Sequence, residues 1–178
     1  DDFYEAVLDT TRSRFSWLLV NLGTAIAASM VIGLFDTAIE KVVALAVLMP
    51  IVASMGGNAG TQTLTVAVRA LAMKELTTSN AMRIVGKEVL VGGINGIVFA
   101  CLMGVIAWLW FGDPQIGGVI AAAMIINLVL AGFAGIVIPL LLDRMEIDPA
   151  VASGVVLTTV TDVVGFLSFL GLAAIVLL

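Results

Sequence analysis

The sequence is short of the residues from which most active sites and metal centres are built. Its 178 residues include no histidine and a single cysteine, Cys101, and only 12% of them are charged. A disulfide within the chain and a histidine-ligated metal site are therefore excluded. No phosphate-binding loop, nucleophile elbow or zinc-ligand spacing occurs. Since no paired catalytic acid or nucleophile–base pair is present either, we expect the chain not to be an enzyme.

Apolar residues take the place of the missing charges. Apolar residues make up 61% of the chain. A soluble domain has about 25% charged residues, which is twice the charged share of this chain. The formal net charge of −5 gives no indication of nucleic-acid binding. We therefore predict a multi-pass protein of the cell (inner or plasma) membrane, surrounded by lipid and without a nucleic-acid partner.

Five segments are long and apolar enough to cross a bilayer, which takes about 20 residues per helix. Their length and their lack of two-residue alternation favour helices over a β-barrel. We predict an all-α membrane protein with an N-terminal segment at 1–15 and a transmembrane domain at 16–178. The predicted spans are about 16–35, 41–72, 87–111, 116–142 and 150–178.

Lysine and arginine are distributed unevenly between the two sides of these spans. If the N-terminus is cytoplasmic, seven of the eight basic residues lie inside and only Lys41 lies outside. Basic residues concentrate on the cytoplasmic side of membrane proteins. We therefore expect segment 1–15 to be cytoplasmic and the C-terminus to be extracytoplasmic. Trp17, Trp108 and Trp110 lie near span ends, as interfacial aromatic residues do.

One acidic residue, Asp162, lies deep inside the fifth predicted span. It is about 13 residues into that span, or roughly 20 Å, which is near the middle of the bilayer. A central Asp costs about 2.5–3.5 kcal/mol on insertion scales, and no lysine or arginine lies near the middle of a span to neutralise it. Its counter-charge is therefore a proton, a bound cation or water in a cavity. We favour a conducted cation, because binding such an ion would give Asp162 a function.

Small and oxygen-bearing residues line up with Asp162 and recur in the second span. Residues four apart share a helix face, so Gly154 and Thr158 lie in line with Asp162. The strip in the second span consists of Ser54, Gly57, Thr61 and Thr65. The amides Asn58 and Gln62 lie beside it. Close helix packing would explain the glycines of such strips. It leaves Asp162 unexplained.

The ligands that these strips offer are oxygens, which suit Mg²⁺, Ca²⁺ or Mn²⁺ rather than soft metals. Mg²⁺ gives up its water shell reluctantly, so a wide pore with one acid per subunit fits that ion. One negative charge matches a divalent ion weakly, whereas two copies of Asp162 across a two-fold axis supply two. We therefore hypothesise a homodimer with its pore on the axis.

Two strings of the sequence resemble the membrane domain of the MgtE family of magnesium channels. They are MPIVASMGGNAGTQTLTVAVRALA in the second span and DPAVASGVVLTTVTDVVGF in the fifth. The resemblance implies a homodimeric Mg²⁺ channel whose path is formed by these two spans of both subunits. Asp162 matches the acid that holds hydrated Mg²⁺, the transported ion. The expected pore-lining residues are Ser54, Gly57, Asn58, Thr61, Thr65, Gly154 and Thr158.

Members of this family usually carry cytoplasmic Mg²⁺-sensing domains before the membrane part. These domains close the pore when internal Mg²⁺ is high. The sequence opens abruptly at Asp1 and does not contain them. We therefore expect a piece of a longer protein that lacks the main Mg²⁺-dependent gating.

Two other classes of function stay open. A proton- or sodium-coupled secondary transporter with Asp162 as the titrating carrier would also suit a glycine-rich second span. The lack of histidine disfavours an elaborate proton relay. A scaffold subunit whose strips only pack helices leaves Asp162 without a role.

Among the acids at span ends we expect Asp148, followed by Pro149, to cap the fifth helix rather than to bind metal.

Overall fold

The computed structural model describes residues 1–178 and contains helices as its only regular elements. The helices are α1 (Asp2–Gly33), α2 (Asp36–Lys41), α3 (Ala44–Ala72), α4 (Ala81–Phe111), α5 (Pro114–Arg144) and α6 (Pro149–Leu177). All except α2 are long and apolar enough to cross a membrane. The predicted all-α architecture with five spans is therefore confirmed.

The helices differ from the predicted spans chiefly at their ends. α1 begins at Asp2, so segment 1–15 is helical and continues into the first span without a break. Its 32 residues are roughly 48 Å long, well beyond a bilayer core of about 30 Å. Residues 36–41 form the separate helix α2, and α3 begins at Ala44 rather than at 41. The reason is the backbone of Val42, which leaves the helical region at φ −130° and ψ 86°.

Aspartate side chains cap the starts of the last two helices. Asp148 accepts a hydrogen bond from the backbone N–H of Ala150 at 3.0 Å, and Pro149 is the first residue of α6. Asp113 accepts one from the N–H of Gln115 at 2.8 Å at the start of α5. A short acidic side chain followed by proline is a favoured helix start, so the predicted cap is confirmed.

α5 is the central helix of the bundle and packs against α3, α4 and α6, whereas α1 packs chiefly against α6. Glycines let α4 and α5 approach closely. A Cβ on Gly96 would lie 3.2 Å from the Cα of Ile125, and one on Gly104 would lie 3.2 Å from the carbonyl oxygen of Gly117. Small residues at helix crossings are typical of membrane bundles.

α3 and α6, the second and fifth spans, run antiparallel to each other. Gly60 faces Leu157, and Val52 faces Gly165. Position along α3 therefore rises as position along α6 falls. These two contacts fix the levels at which residues of the two helices meet.

Candidate ion-conducting site

Asp162 lies near the middle of α6, a helix of 29 residues without lysine or arginine. Its side chain is half-buried. Interpolation between the two α3–α6 contacts described above places it level with Met55 of α3. The one basic residue of α3, Arg69, is in its last turn. The depth and the lack of a basic partner on either helix both agree with the prediction.

The predicted strip of α3 is the face that the chain leaves uncovered. Ser54, Asn58, Thr61 and Thr65 are all exposed. A Cβ on Gly57 would meet nothing within 4 Å, so this glycine also borders open space. The opposite face is buried in the bundle, and its residues are Leu45, Leu48, Val52, Gly56, Gly60, Thr63 and Ala67.

Hydrogen bonds within α3 orient the polar groups of this strip. Thr61 Oγ1 donates to the carbonyl oxygen of Gly57 at 2.8 Å, and Thr65 Oγ1 donates to that of Thr61 at 2.9 Å. Asn58 Nδ2 donates to Ser54 Oγ at 3.2 Å. Because the threonine protons are used inside the helix, their oxygens present lone pairs outward. Such lone pairs accept hydrogen bonds from the water shell of a cation.

α6 divides its polar residues between two faces. Gly154 and Thr158 are exposed, and a Cβ on Gly154 would meet nothing within 4 Å. Ser153 and Thr161 are buried, and the Thr161 hydroxyl donates to a carbonyl oxygen of its own helix at 3.0 Å. The uncovered residues are thus those that step back by four from Asp162, as the spacing predicts.

The strips of α3 and α6 adjoin each other at one end of the bundle. A groove of about 340 Å³ lies between the last turns of α3 and the first turn of α6. It is lined by Leu64, Thr65, Val68, Arg69, Pro149 and Ala150. Ala150 is one turn before Gly154 on the same face, so the groove brings Thr65 beside the α6 strip.

A second polar group lies on a different side of α3. Thr63 Oγ1 donates a hydrogen bond to Glu88 Oε2 of α4 at 3.4 Å. Glu88, Asn95 and Gln62 help to line a cavity of about 200 Å³ between α3, α4 and α5. Gln62, which was expected beside the strip, is exposed and also borders this separate cavity. Sequence reasoning missed Glu88; its signal is an acid in the third turn of α4, next to Lys87.

Asn127 of α5 is a further residue that sequence reasoning missed. Its side chain is 1% exposed, and Nδ2 donates to the carbonyl oxygen of Val52 in α3 at 3.1 Å. It is the only polar side chain of the predicted fourth span, 116–142. The test that singled out Asp162, a lone polar residue at mid-span, would also have found Asn127.

The fold and the site define a class of protein. Five helices are long and apolar enough to cross a membrane, and α5 packs against three of the others. Two of these, α3 and α6, present oxygen-bearing strips beside a carboxylate at mid-span. A multi-pass membrane protein with such a face is suited to moving a cation across the bilayer.

Comparison with known proteins identifies the family. A family model described as MgtE, divalent cation transporter, matches residues 49–172. The chain therefore belongs to the MgtE family, as the resemblance of α3 and α6 predicted, and it is a multi-pass protein of the cell membrane.

Three relatives named magnesium transporter MgtE are similar along most of this chain. The relative from Bacillus subtilis is 33% identical over 160 residues, which are 90% of this chain and 36% of that protein. The relative from Enterococcus faecalis is 34% identical over 98% of this chain and 38% of its own length. For Thermus thermophilus the values are 32%, 93% and 36%. The chain thus spans a little over a third of the length of these relatives.

Proposed function

We propose that this chain conducts Mg²⁺ down its electrochemical gradient through a pore lined by α3 and α6 of a homodimer, with Asp162 holding hydrated Mg²⁺. The observation that carries the proposal is the exposure of two oxygen-bearing helix strips beside a mid-span carboxylate. The family description supports divalent cation transport, and the names of the relatives support magnesium as the ion.

The homodimer follows from the position of the strips. On a single chain the hydroxyl and amide groups of α3 are uncovered at a depth where lipid offers no hydrogen bonds. A second copy related by a two-fold axis places strip against strip and encloses them. The enclosed space is then lined by polar groups of four helices, two from each copy.

The pore chemistry follows from two kinds of oxygen. Two Asp162 carboxylates supply two negative charges at mid-membrane, which balance one Mg²⁺ and repel anions. Mg²⁺ keeps several of its waters, so the hydroxyl oxygens of Thr61, Thr65 and Thr158 act on the water shell rather than on the metal. The ion therefore crosses hydrated, without the large cost of removing its water.

A proton- or sodium-coupled carrier is the alternative, and the charge distribution disfavours it. Asp162 is the only acidic residue of α3 and α6. A proton relay along these strips would need further titratable groups. The strips offer hydroxyls, amides and glycines instead.

Flux measurements in proteoliposomes test the proposal. We expect Mg²⁺ uptake to follow the Mg²⁺ gradient and the voltage, and to be unaffected by a pH or sodium gradient. Asp162→Asn should lower uptake by about tenfold or more, because the pore charge is lost. Asp143→Asn, which neutralises an exposed acid at the end of α5, is the matched control and should transport normally.

Either of two results would contradict the proposal. Uptake that requires a pH or sodium gradient would replace the channel with a coupled carrier. Normal uptake by Asp162→Asn would remove the carboxylate from the ion path.

A further inference from the structure

Asn127 lies where an amide is costly unless it is used. It is 13 residues after Pro114 in α5, roughly 20 Å along the helix, and its side chain is 1% exposed. Every other residue of α5 from Ile116 to Leu142 is apolar. A buried amide is unfavourable without hydrogen-bond partners, so its presence calls for an explanation.

The Asn127 amide contacts both proposed pore helices. Nδ2 donates to the carbonyl oxygen of Val52 in α3 at 3.1 Å. A Cβ on Gly165 of α6 would lie 2.9 Å from Nδ2, and a Cβ on Gly56 of α3 would overlap the amide group. α3 and α6 therefore each have a glycine, Gly56 and Gly165, where they contact the Asn127 amide.

These contacts lie within one turn of the proposed pore residues. Gly165 is three residues after Asp162, and Val52 is two residues before Ser54. A helix rises about 5.4 Å per turn, so the amide contacts α3 and α6 within about that distance of the proposed pore residues. A shift of the amide would therefore change the relative position of both strips. Asn127 itself faces the buried side of α3 and α6, away from the strips.

We propose that Asn127 is a positioning residue that sets the separation and rotation of α3 and α6, and thereby the place of the Asp162 carboxylate. This inference rests on the proposed function. Asn127 touches no ion; it acts through the Val52 carbonyl and through the fit of its amide between Gly56 and Gly165. Its Oδ1 has no hydrogen-bond partner within the chain, so the donor is the half of the amide that the site uses.

The direct test replaces the amide by an apolar group of similar shape. Asn127→Leu removes the donor and keeps most of the volume. In proteoliposomes we expect a change of about fivefold or more in the Mg²⁺ concentration for half-maximal uptake, or in the ratio of Mg²⁺ to Ca²⁺ uptake. Asn95→Leu is the control, because it removes an exposed amide of α4 outside the α3–α6 contact.

A second variant covers the case in which Asn127→Leu does not fold. Gly165→Ala pushes a Cβ against Nδ2 and should change the same two quantities. Its control is Gly171→Ala in the same helix, where a Cβ would meet only the Phe35 ring at 4.0 Å. Uptake is normalised to folded protein, measured by size-exclusion chromatography.

A merely structural role gives a different pattern. Loss of folded protein lowers the maximal rate for both ions and leaves the half-saturating concentration and the ion ratio unchanged. That pattern, in both Asn127→Leu and Gly165→Ala, would overturn the inference. Asp162→Asn is run in parallel: if it transports normally, the proposed function fails, whereas if it is impaired while both positioning variants keep normal constants, only the role of Asn127 fails.

Discussion

Two adjacent glycines of α3 face different surroundings. A Cβ on Gly56 would lie 2.7 Å from Cγ of Asn127, whereas one on Gly57 would meet nothing within 4 Å. Overpacking a tight contact costs about 1–3 kcal/mol. We therefore expect Gly56→Ala to lower the thermal unfolding temperature in detergent and Gly57→Ala to leave it unchanged. Equal destabilisation by the two substitutions would contradict the assigned rotation of α3.

Two threonines of α3 separate pore function from packing in the same way. Thr65→Val removes an exposed hydroxyl and should lower Mg²⁺ uptake severalfold without loss of stability. Thr63→Val removes the donor to the half-buried Glu88 carboxylate, and loss of a typical hydrogen bond costs about 0.5–1.5 kcal/mol. We expect Thr63→Val to be less stable in a thermal melt. If Thr65→Val were the less stable of the two, the uncovered face of α3 would be assigned wrongly.

A candidate site residue could be predicted from the sequence where that residue alone is unusual for its position in a span. Asp162 stands out because a carboxylate at mid-span is costly. Gly154 and Thr158 follow from it by helical spacing. That Gln62 also borders a cavity with α4 could not be predicted, because spacing does not say which neighbour covers each side of a helix. Contacts between helices, such as Asn127 with Val52, depend on the tertiary arrangement, which spacing along one helix does not contain.

At the scale of elements, the cap of α6 offers a test of the role of Asp148. Its side chain accepts the Ala150 N–H, and loss of such a cap costs about 1 kcal/mol. Asp148→Ala should therefore lower stability by that amount in a denaturation series. Because it is not a ligand in this account, the Mg²⁺ concentration for half-maximal uptake should not change. A severalfold change in that concentration would make Asp148 part of the ion path.

Elements were predictable from apolar length and their ends were not. All five spans appear as long apolar runs, since lipid demands them. The first turns of α1 carry Asp2 and Glu5, so they do not look like a membrane span although they are helical. α2 was missed because six residues are too few for a periodic signal. The break at Val42 lies in its backbone angles, and a valine at this position does not predict a helix end.

At the scale of the whole molecule, the charge distribution predicts an orientation. The α3–α4 and α5–α6 loops lie together, since Arg144 Nη2 donates to Thr78 Oγ1 at 3.2 Å. This end of the bundle carries five of the eight basic residues: Arg69, Lys74, Arg83, Lys87 and Arg144. Basic residues favour the cytoplasmic side, so we propose that this end and the N-terminus are cytoplasmic.

Cysteine labelling in a Cys101→Ser background checks the orientation. We expect Ser79→Cys, between α3 and α4, to react with a membrane-impermeant thiol reagent only from the cytoplasmic side. Gln115→Cys, at the start of α5, should react only from the outside. The reverse pattern would invert the bundle, and the dimeric pore would then run in the opposite sense. The cytoplasmic Mg²⁺-sensing domains expected from the resemblance stay a prediction.

The central claim is that two copies of Asp162 share one divalent ion. Anomalous diffraction from crystals grown with Mn²⁺, a hard cation of similar ligand preference, tests it most directly. The account predicts one anomalous peak for every two chains, on the two-fold axis between the Asp162 carboxylates. Peaks that lie elsewhere on the chain, with none between the two carboxylates, would contradict it.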